Sequence, residues 1–491
     1  MEIELKLALD PADVTRCRRH PLLAGVKAER RRLHSIYYDT PDFTLTRRKI
    51  ALRLRRVGYH WVQTLKAAAP AVGALSARPE WEVQVMSNTP DLAVLPAAAR
   101  ALLKGVDLAL LAPVFITDIK RDTWQISVGE TVMEIALDQG EIQASRLATP
   151  EAKPPESQVC EIELELKAGP PDGLFVAALG LLKRVPLRID SRSKAVRGYV
   201  LAGAVKPAPR KAVWPKLTPS GAAGTAWVAL AEAALAQLVD NLSGFLEQAD
   251  DSEYLHQTRV ALRRLLGLAR LLRQPDPAWL APLREHMTLL NPARDWDVFQ
   301  EETLARLEWP HDEAFSARVA AQAATARQTA QAALASPAFT HAVLLLGQAL
   351  LSPPDLNLKA GAWAAKVLER RWKSVKRRGA VLADGDDTAR HALRIAVKKL
   401  RYASDALTNL YGKRGKKAIA GLEALQESLG TLNDLVVAER LMRTLAQAYP
   451  ETAFSGGQVV GLLSAEARKG TRSDRQITRA LAAIKPFWRK P

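Results

Sequence analysis

Apolar and polar residues alternate in short segments over residues 1–203, whereas most of the chain beyond them follows a helical period. The alternation predicts strands at 2–7, 49–56, 60–66, 78–85, 117–126, 131–138 and 159–167, bounded by turn residues such as Gly58, Gly129 and Gly140. Short helical patterns at 11–19, 91–104 and 171–184 interrupt them. The first part of the chain is therefore predicted to be strand-rich.

From about residue 223 onward the periodicity predicts helices, with Pro and Gly confined to the breaks. The preceding stretch, AVKPAPRKAVWPKLTPSGA (204–222), is rich in Pro and Lys and has no periodicity, which is typical of a linker. We therefore expect a multidomain α+β protein with a first domain at 1–203, a linker at 204–218 and an all-helical domain at 219–491.

The helical part contains a weak internal repeat. HQTRVALRRL (256–265) resembles HALRIAVKKL (391–400), and LNPARDWDV (290–298) loosely parallels LGTLNDLVV (429–437) at a similar offset. Two copies of a helical bundle, packed face to face, are the simplest interpretation.

The charge balance is strongly basic: 70 Lys and Arg against 52 Asp and Glu give a net charge of +18. Such an excess attracts nucleic acid, acidic membranes or phosphate chains. No apolar run reaches the roughly 18 residues that cross a bilayer, and the start lacks a signal-peptide pattern. The two cysteines, Cys17 and Cys160, do not form a disulfide framework. We expect a cytoplasmic protein with no membrane partner.

Charged residues in the predicted strands are sorted by sign. Residues two apart share a strand face, so Glu2, Glu4 and Lys6 lie together. One such strand is usually the solvated face of an antiparallel sheet. Here, however, the strand at 159–167 repeats the acidic pattern, while the strand at 49–56 carries arginines. Clustered carboxylates repel unless a cation lies among them, which favours Mg²⁺ or Mn²⁺ bridging to a phosphorylated substrate.

These residues resemble the CYTH family, the triphosphate tunnel metalloenzymes. The resemblance runs in order through Glu2-x-Glu4-x-Lys6, YYDTPD (37–42), LRLRR (52–56), TLK (64–66), RPEWEV (78–83), EIALDQGEI (134–142), CEIELELK (160–167) and SKAVRGY (193–199). It implies a closed, antiparallel eight-stranded β-barrel with a charged tunnel. There is no GxxxxGK[ST] loop, so a P-loop enzyme is excluded.

The resemblance also implies roles for individual residues. The metal-holding carboxylates are Glu2, Glu4, Asp138, Glu161 and Glu163, with Glu165 on the same face as a substitute for one of them. The phosphate-binding residues are Lys6, Arg53, Arg55, Lys66, Arg121, Arg192 and Lys194, the last two closing over the substrate. The catalytic set is Glu4, Lys66, Glu80 and Glu82, with Glu80 and Glu82 positioning water or metal.

The helical part resembles the CHAD domain over residues 219–491. His256, Arg259 and Arg263 have the spacing of one helix face, His391, Arg394 and Lys398 repeat it, and Arg264, Lys399 and Arg401 flank the two stripes. Arg294-Asp295-Trp296-Asp297 and Asn433-Asp434 add to the resemblance. It implies two antiparallel bundles with a basic channel that binds inorganic polyphosphate. Rows of Arg and Lys without interleaved aromatics suit a phosphate chain better than stacked bases, so we expect no specific nucleic-acid partner. The three aspartates are expected to orient basic side chains.

Together these patterns predict a metal-dependent inorganic triphosphatase that hydrolyses tripolyphosphate to pyrophosphate and phosphate, with a helical domain that binds polyphosphate. The alternatives are a CYTH-type adenylate cyclase, a thiamine or nucleoside triphosphatase, a non-catalytic polyphosphate-binding protein, and a nonspecific nucleic-acid binder.

Overall fold

The computed structural model describes residues 2–67, 75–145, 155–190, 192–272, 275–309, 312–382, 387–429, 431–470 and 474–489. Of residues 2, 75–78, 387, 413, 427–428, 431–433, 468–470 and 474–475 it describes the backbone alone. The chain forms two compact units. The strand-rich unit comprises 1–209, 242–244 and 335–351, and the helical unit comprises 210–241, 245–334 and 352–491. The predicted domain bounds stay a prediction.

The strand-rich unit is one antiparallel sheet with short helices. Its strands are β1 (Glu2–Leu9), β2 (Glu29–Asp39), β3 (Ile50–Val57), β4 (His60–Ala67), β5 (Leu75–Arg78), β6 (Glu80–Val85), β7 (Ala112–Val128), β8 (Thr131–Ala144), β9 (Glu156–Ala168) and β10 (Leu187–Ile189). Its first helices are α1 (Val14–Arg18), α2 (Thr44–Arg47), α3 (Ala97–Leu102), α4 (Asp172–Leu182) and α5 (Lys194–Leu201). The strand order is β10-β1-β9-β8-β7-β2-β3-β4-β6, and β5 pairs with β1 beside this path.

The predicted closed eight-stranded barrel is wrong, although the antiparallel sheet is confirmed. The described path has nine strands, and its end strands β10 and β6 are not neighbours. The segment predicted as one strand at 78–85 is two strands: β5 pairs with β1, and β6 pairs with β4. Pro79 separates them, and proline has no N–H with which to continue a ladder. The sheet is consequently not closed by a continuous strand.

Alternation sorts the side chains onto two faces of the sheet. Leu52, Leu54 and Leu65 are fully buried in an apolar core that also contains Ile36 and Val85. Arg53 and Arg55 alternate with the two leucines of β3 and therefore point to the opposite face. The sequence did not predict β2, because ERRRLHSIYYD begins with consecutive charged residues and ends with consecutive buried ones.

The remaining helices follow the linker region, in which 204–218 contain no helix or strand. They are α6 (Ala223–Glu247), α7 (Ser252–Ala269), α8 (Leu280–Leu289), α9 (Asn291–Val298), α10 (Glu313–Leu334), α11 (Pro337–Leu350), α12 (Ala360–Ala380), α13 (Asp387–Leu407), α14 (Lys413–Ser428), α15 (Thr431–Ala448), α16 (Ala453–Gly470) and α17 (Asp474–Ala483). The whole of α11 belongs to the strand-rich unit, as do residues 242–244 of α6. The prediction of a helical C-terminal region is confirmed.

Within the described ranges, no single helix is both long and apolar enough to cross a membrane. The bent pair α10 and α11 passes that test only jointly, by length and composition.

Candidate functional site

Charged side chains from several neighbouring strands point to the same side of the sheet. Directly paired residues share a face, and the registers pair Lys6 with Glu163, Glu161 with Asp138, and Asp138 with Arg121. The pairing of β3 with β4 and of β4 with β6 extends this face to charged residues on the other side of β2. We call this surface the charged face; it comprises Glu4, Lys6, Arg53, Arg55, Lys66, Glu80, Glu82, Arg121, Asp138, Glu161 and Glu163.

Three carboxylates converge at one end of the charged face. One oxygen each from Asp138, Glu161 and Glu163 lies within 4.8 Å of the others. The Asp138 side chain is 0% exposed, and those of Glu161 and Glu163 are 5% and 11% exposed. Buried like charges this close need cations among them. We call these three residues the acidic cluster.

Three basic side chains supply this compensation. Arg121 donates two hydrogen bonds of 2.6 Å to the two Asp138 oxygens and one of 2.5 Å to Glu163. Lys194 Nζ lies 2.6 Å from Asp138, 2.5 Å from Glu161 and 3.0 Å from Glu163. Lys6 Nζ lies 2.8 Å from Glu163 and 3.7 Å from Glu4. Each cation therefore bridges at least two carboxylates.

This pairing shifts pKa values in both directions. Burial alone would raise the pKa of Glu163, but Lys194, Lys6 and Arg121 outweigh it and hold that pKa well below its usual range. Burial likewise opposes the charged form of Lys6, yet the surrounding glutamates raise the pKa of Lys6 well above its ordinary value. Glu163 and Lys6 are consequently both ionised near neutral pH.

The other end of the charged face is basic. Arg53 Nη2 lies 3.3 Å from Glu82, which also accepts a hydrogen bond of 3.0 Å from Thr64 Oγ1. Lys66 Nζ lies 2.9 Å from Glu80. Burial, with the charges of Arg53 and Arg121, lowers the pKa of Arg55 to about 10. Arg55 is thus a half-buried cation beside other cations, which favours an anionic ligand here.

Tyr37 is a member of this site to which the sequence gave no role. Its ring stacks on Phe115 with centroids 4.3 Å apart. Burial would raise the pKa of its hydroxyl, but the charges of Arg53 and Arg55, followed by those of two lysines, Lys66 and Lys194, lower it. The motif YYDTPD contains this residue, but only the unpredicted strand β2 places it beside Arg53.

Helix α5 lies against the acidic end of the charged face. Its first residue, Lys194, enters the acidic cluster, and Arg197 one turn later lies 3.4 Å from Glu161. Gly198 packs so closely on Phe115 that a Cβ would lie 2.2 Å from the ring. Arg197 was not predicted as a site residue, although its spacing from Lys194 within SKAVRGY places both on one helix face.

The structure places some predicted residues outside the acidic cluster. Glu165 pairs with Lys167 at 2.7 Å. Arg192 pairs with Asp190 at 2.9 Å. The side chain of Glu2 lies outside the described residues. The roles assigned to these three residues, like those of the other site residues, stay predictions.

In the helical unit, one basic group surrounds Lys398. The charges of Arg263, Arg394, Arg259 and Arg401 all act on it. We call these five residues the Lys398 cluster. Some members have neutral partners: Arg259 donates to Asn291 at 2.7 Å and Arg263 to the Tyr402 hydroxyl at 2.7 Å. Arg401 instead pairs with Glu423 at 3.0 Å, and the charge of Asp434 acts on Arg394.

Burial and like charges lower the pKa values in this group. Burial lowers the pKa of Lys398 to about 7, with a further contribution from the four arginines. The same two causes lower the pKa of Arg259 to about 10. Burial, followed by the charge of Arg294, also lowers the pKa of His256. His391, the counterpart of His256 in the repeat, is exposed.

The other predicted polyphosphate-binding residues lie apart from this cluster. Arg264 pairs with Asp405 at 3.0 Å. Lys399 is influenced by Arg270, Arg371 and Arg378 instead. Of the aspartates expected to orient basic side chains, Asp297 pairs with Arg327 at 2.7 Å and Asp295 with Arg440 at 2.5 Å, and Asp434 acts on Arg394. The Asn433 side chain lies outside the described residues.

Comparison with known proteins agrees with this two-part organisation. The CYTH domain model matches residues 1–199, and the CHAD domain model matches residues 229–443. An inorganic triphosphatase from Haemophilus influenzae is 33% identical over 213 residues, which cover 41% of this chain and 54% of that protein. The chain thus spans about half the length of this curated relative.

Two solved structures are also similar. The CHAD domain from the plant Ricinus communis is 33% identical with a TM-score of 0.53, covering 57% of this chain and 98% of that one. A putative adenylyl cyclase from Hippeastrum, described as having a dominant triphosphatase activity, is 17% identical with a TM-score of 0.30, covering 42% and 98%. The second likeness is too low to support an argument. The chain therefore belongs to the proteins in which a CYTH domain is followed by a CHAD domain.

Proposed function

We propose that the strand-rich unit is a metal-dependent inorganic triphosphatase, which cleaves tripolyphosphate with water to give pyrophosphate and phosphate. The observation that carries this proposal is the charged face, where a buried acidic cluster adjoins a group of buried and half-buried arginines. The relative named inorganic triphosphatase supports the same substrate class.

The acidic cluster fits a hard divalent cation. Asp138, Glu161 and Glu163 offer only oxygen ligands, which Mg²⁺ and Mn²⁺ prefer. Glu4 adjoins the cluster through Lys6, whose Nζ lies 3.7 Å from Glu4, 3.8 Å from Glu161 and 2.8 Å from Glu163. A bound divalent cation neutralises charge on the phosphate oxygens.

The chain's own residues would bind and orient the substrate. Arg53, Arg55 and Lys66 supply positive charge where the terminal phosphates would lie, and phosphoryl transfer depends mainly on such charge neutralisation and positioning. Glu80 holds Lys66 at 2.9 Å, and Glu82 holds Arg53 at 3.3 Å. We propose that these two glutamates also orient the attacking water.

A substrate and metal panel tests the activity. Phosphate release from tripolyphosphate, ATP and thiamine triphosphate is measured with Mg²⁺, with Mn²⁺ and with a chelator. We expect the largest kcat/KM for tripolyphosphate and no turnover with the chelator. Preferential turnover of ATP or thiamine triphosphate would replace tripolyphosphate as the substrate. Absence of hydrolysis with either metal would contradict the triphosphatase proposal and favour a purely binding protein.

We further propose that the helical unit binds inorganic polyphosphate through the Lys398 cluster. Lys398, Arg259 and Arg263 form no ion pair with a carboxylate among the residues described, so an anionic chain would supply counter-charge. Titration with long-chain polyphosphate tests this, with Lys398→Ala against Lys485→Ala, an exposed lysine near the C-terminus. Equal affinities of the two variants would contradict it.

A further inference from the structure

Two short segments from the helical half of the sequence belong to the strand-rich unit: residues 242–244 of α6 and residues 335–351, which include α11. Both lie inside the range 229–443 that the CHAD model matches. Helix α11 packs on α4 and β10, and the packing on α4 is close, since a Cβ at Gly347 would lie 2.6 Å from the ring of Phe175. The strand-rich unit is therefore completed by residues that lie outside the CYTH match.

The segment 242–244 contributes a single polar side chain, Ser243. This residue is only 5% exposed, and a buried hydroxyl requires a hydrogen-bond partner. Its Oγ donates to Oδ1 of Asp190 at 3.3 Å. Asp190 directly follows β10, so a residue from the CHAD-matched range contacts the point at which the last strand of the sheet ends.

Asp190 is the centre of a small hydrogen-bond network. Its Oδ1 accepts from the backbone N and the Nε of Arg192 at 3.0 and 3.1 Å, and its Oδ2 accepts from Nη2 of Arg192 at 2.9 Å. An aspartate that accepts the backbone N–H two residues later stabilises a turn. Burial would raise the pKa of Asp190, but the hydrogen bonds and the charge of Arg192 outweigh it and lower that pKa. The carboxylate is therefore ionised and holds the turn that follows β10.

This turn connects β10 to α5, and each end of the connection lies beside a lysine of the charged face. Ile189, the last residue of β10, pairs with Leu7, the neighbour of Lys6 in β1. Lys194 is the first residue of α5. The Nζ atoms of Lys6 and Lys194 lie 2.8 and 3.0 Å from the same oxygen of Glu163. The path of the chain between β10 and α5 therefore determines where Lys194 enters the acidic cluster.

We propose that Ser243 and Asp190 are positioning residues of the charged face, which hold the turn between β10 and α5 and thereby place Lys194 for the substrate. The ion pairs of Lys194 attract its ammonium group, but an entering phosphate competes with those carboxylates for the lysine. A fixed turn keeps the lysine in place during this exchange, and groups that are placed in advance need no reorganisation when the reaction occurs. The inference rests on the proposed triphosphatase function, in which Lys194 binds phosphate.

The test is a double-mutant cycle in the full chain, measured by steady-state kinetics with tripolyphosphate. Ser243→Ala removes one hydrogen bond from Asp190, so we expect KM to rise about threefold while kcat stays within about twofold of the wild type. Asp190→Ala removes the whole network and should raise KM by about tenfold, the usual effect of losing a group that orients a site residue. A misfolded fraction would lower kcat and leave KM unchanged, so the two constants separate positioning from loss of fold.

The double variant shows whether Ser243 acts through Asp190. In the Asp190→Ala background, Ser243→Ala should not change KM further, because the partner of the serine is already gone. The control is Ser404→Ala, which removes another buried hydroxyl of a helix, one without a hydrogen-bond partner, and should leave KM unchanged. Calorimetric titration with tripolyphosphate in chelator gives the same comparison without turnover: Ser243→Ala should bind more weakly than Ser404→Ala.

The outcomes separate this inference from the proposed function. If the wild type hydrolyses tripolyphosphate and Ser243→Ala has the KM of Ser404→Ala, the positioning role is overturned and the triphosphatase proposal stands. If Ser243→Ala raises KM equally in the wild-type and Asp190→Ala backgrounds, the serine does not act through Asp190 and the positioning role is again overturned. If the wild type hydrolyses no triphosphate, the proposed function fails, and equal calorimetric affinities of Ser243→Ala and Ser404→Ala would overturn the positioning role as well. Should Asp190→Ala not fold, the comparison of the two serine variants decides.

Discussion

Two lysines, Lys6 on the charged face and Lys398 in the helical unit, are both largely buried, but their neighbours have opposite signs. Lys6 lies 2.8 Å from Glu163 and near two further glutamates, which raise its pKa well above the ordinary value. The charges that act on Lys398 are all arginines, and with burial they lower its pKa to about 7. The charge of Lys6 is therefore compensated by neighbouring carboxylates, whereas the charge of Lys398 is not.

This difference predicts two kinds of ligand. On the charged face a ligand must replace existing ion pairs, which a divalent cation together with a multiply charged phosphate can do. The Lys398 cluster has no such pairs to replace around Lys398 itself, so a chain of phosphates adds counter-charge directly. The first arrangement suits a selective catalytic site, and the second suits a binding surface.

The same difference affects stability. The pKa of Lys398 in the folded chain lies below its value of about 10.4 in an unfolded chain. The unfolded state therefore binds more protons between about pH 7 and 10, and the contribution of this lysine to stability becomes more favourable as pH rises through that range. Asp138 and Glu163 of the acidic cluster have lowered pKa values, so their contribution is present at neutral pH and is lost only in acid.

The largest expected effect comes from removing one charge of the charged face, where cations and carboxylates compensate one another. Glu163→Gln should lower kcat with tripolyphosphate by about 10²- to 10³-fold, because Glu163 contacts Lys6, Arg121 and Lys194 and offers a metal ligand. Phosphate release at saturating substrate and metal measures the loss. The matched control is Glu130→Gln at an exposed turn of the same unit. Unchanged kcat in Glu163→Gln would exclude the acidic cluster from catalysis, and polyphosphate affinity should be equal in both variants.

Much of the strand-rich unit could be predicted because alternation fixes which side chains share a face. The pairing of Lys6 with Glu163 and of Asp138 with Glu161 follows once β1, β8 and β9 are adjacent. Strand β2 could not be predicted from alternation, and Tyr37 was missed with it. Closure of the barrel could not be predicted either. The break at Pro79 depends on which strand each half of the segment 78–85 pairs with.

In the helical unit the internal repeat could be recognised from the sequence, but the contact partners of its charged residues could not. Helical spacing placed Arg259 and Arg263 on one face correctly. It could not show that Arg264 meets Asp405 while Lys399 meets Arg270, because those contacts join helices that are distant in the sequence. Spacing within one helix predicts a charged stripe, and only packing between helices decides whether that stripe is neutralised.

The second expected effect is a pH dependence confined to the helical unit. Lys398 is largely neutral above pH 7 in the free protein, and a bound phosphate chain raises its pKa, so binding takes up a proton. Polyphosphate affinity should therefore fall as pH rises from 7 to 9, by up to about tenfold per pH unit. Titrations at constant ionic strength measure this slope. Lys398→Arg keeps the charge at every pH and should remove most of the slope; a variant with the wild-type slope would show that another group takes up the proton.

The smallest expected effect tests what positions Lys194 in the acidic cluster. Helix α5 can approach the sheet only because Gly198 has no side chain, since a Cβ there would lie 2.2 Å from the ring of Phe115. Phe115 is fully buried and stacked on Tyr37, so it has no room to move. Gly198→Ala should therefore lower the free energy of unfolding of this unit by about 1–3 kcal/mol and raise KM for tripolyphosphate, because Lys194 shifts with the helix.

Gly180 in α4 provides the matched control, because nothing lies within 4 Å of a Cβ at that position. Gly180→Ala should stabilise the unit by about 0.5–1 kcal/mol through helix propensity and leave KM unchanged. Urea unfolding followed by tryptophan fluorescence compares the two variants with the wild type. If both alanines have the same effect, the close packing of α5 is not what holds Lys194 among the carboxylates. In that case the ion pairs of Lys194 hold it among the carboxylates, and Lys194→Met should raise KM even though Gly198→Ala does not.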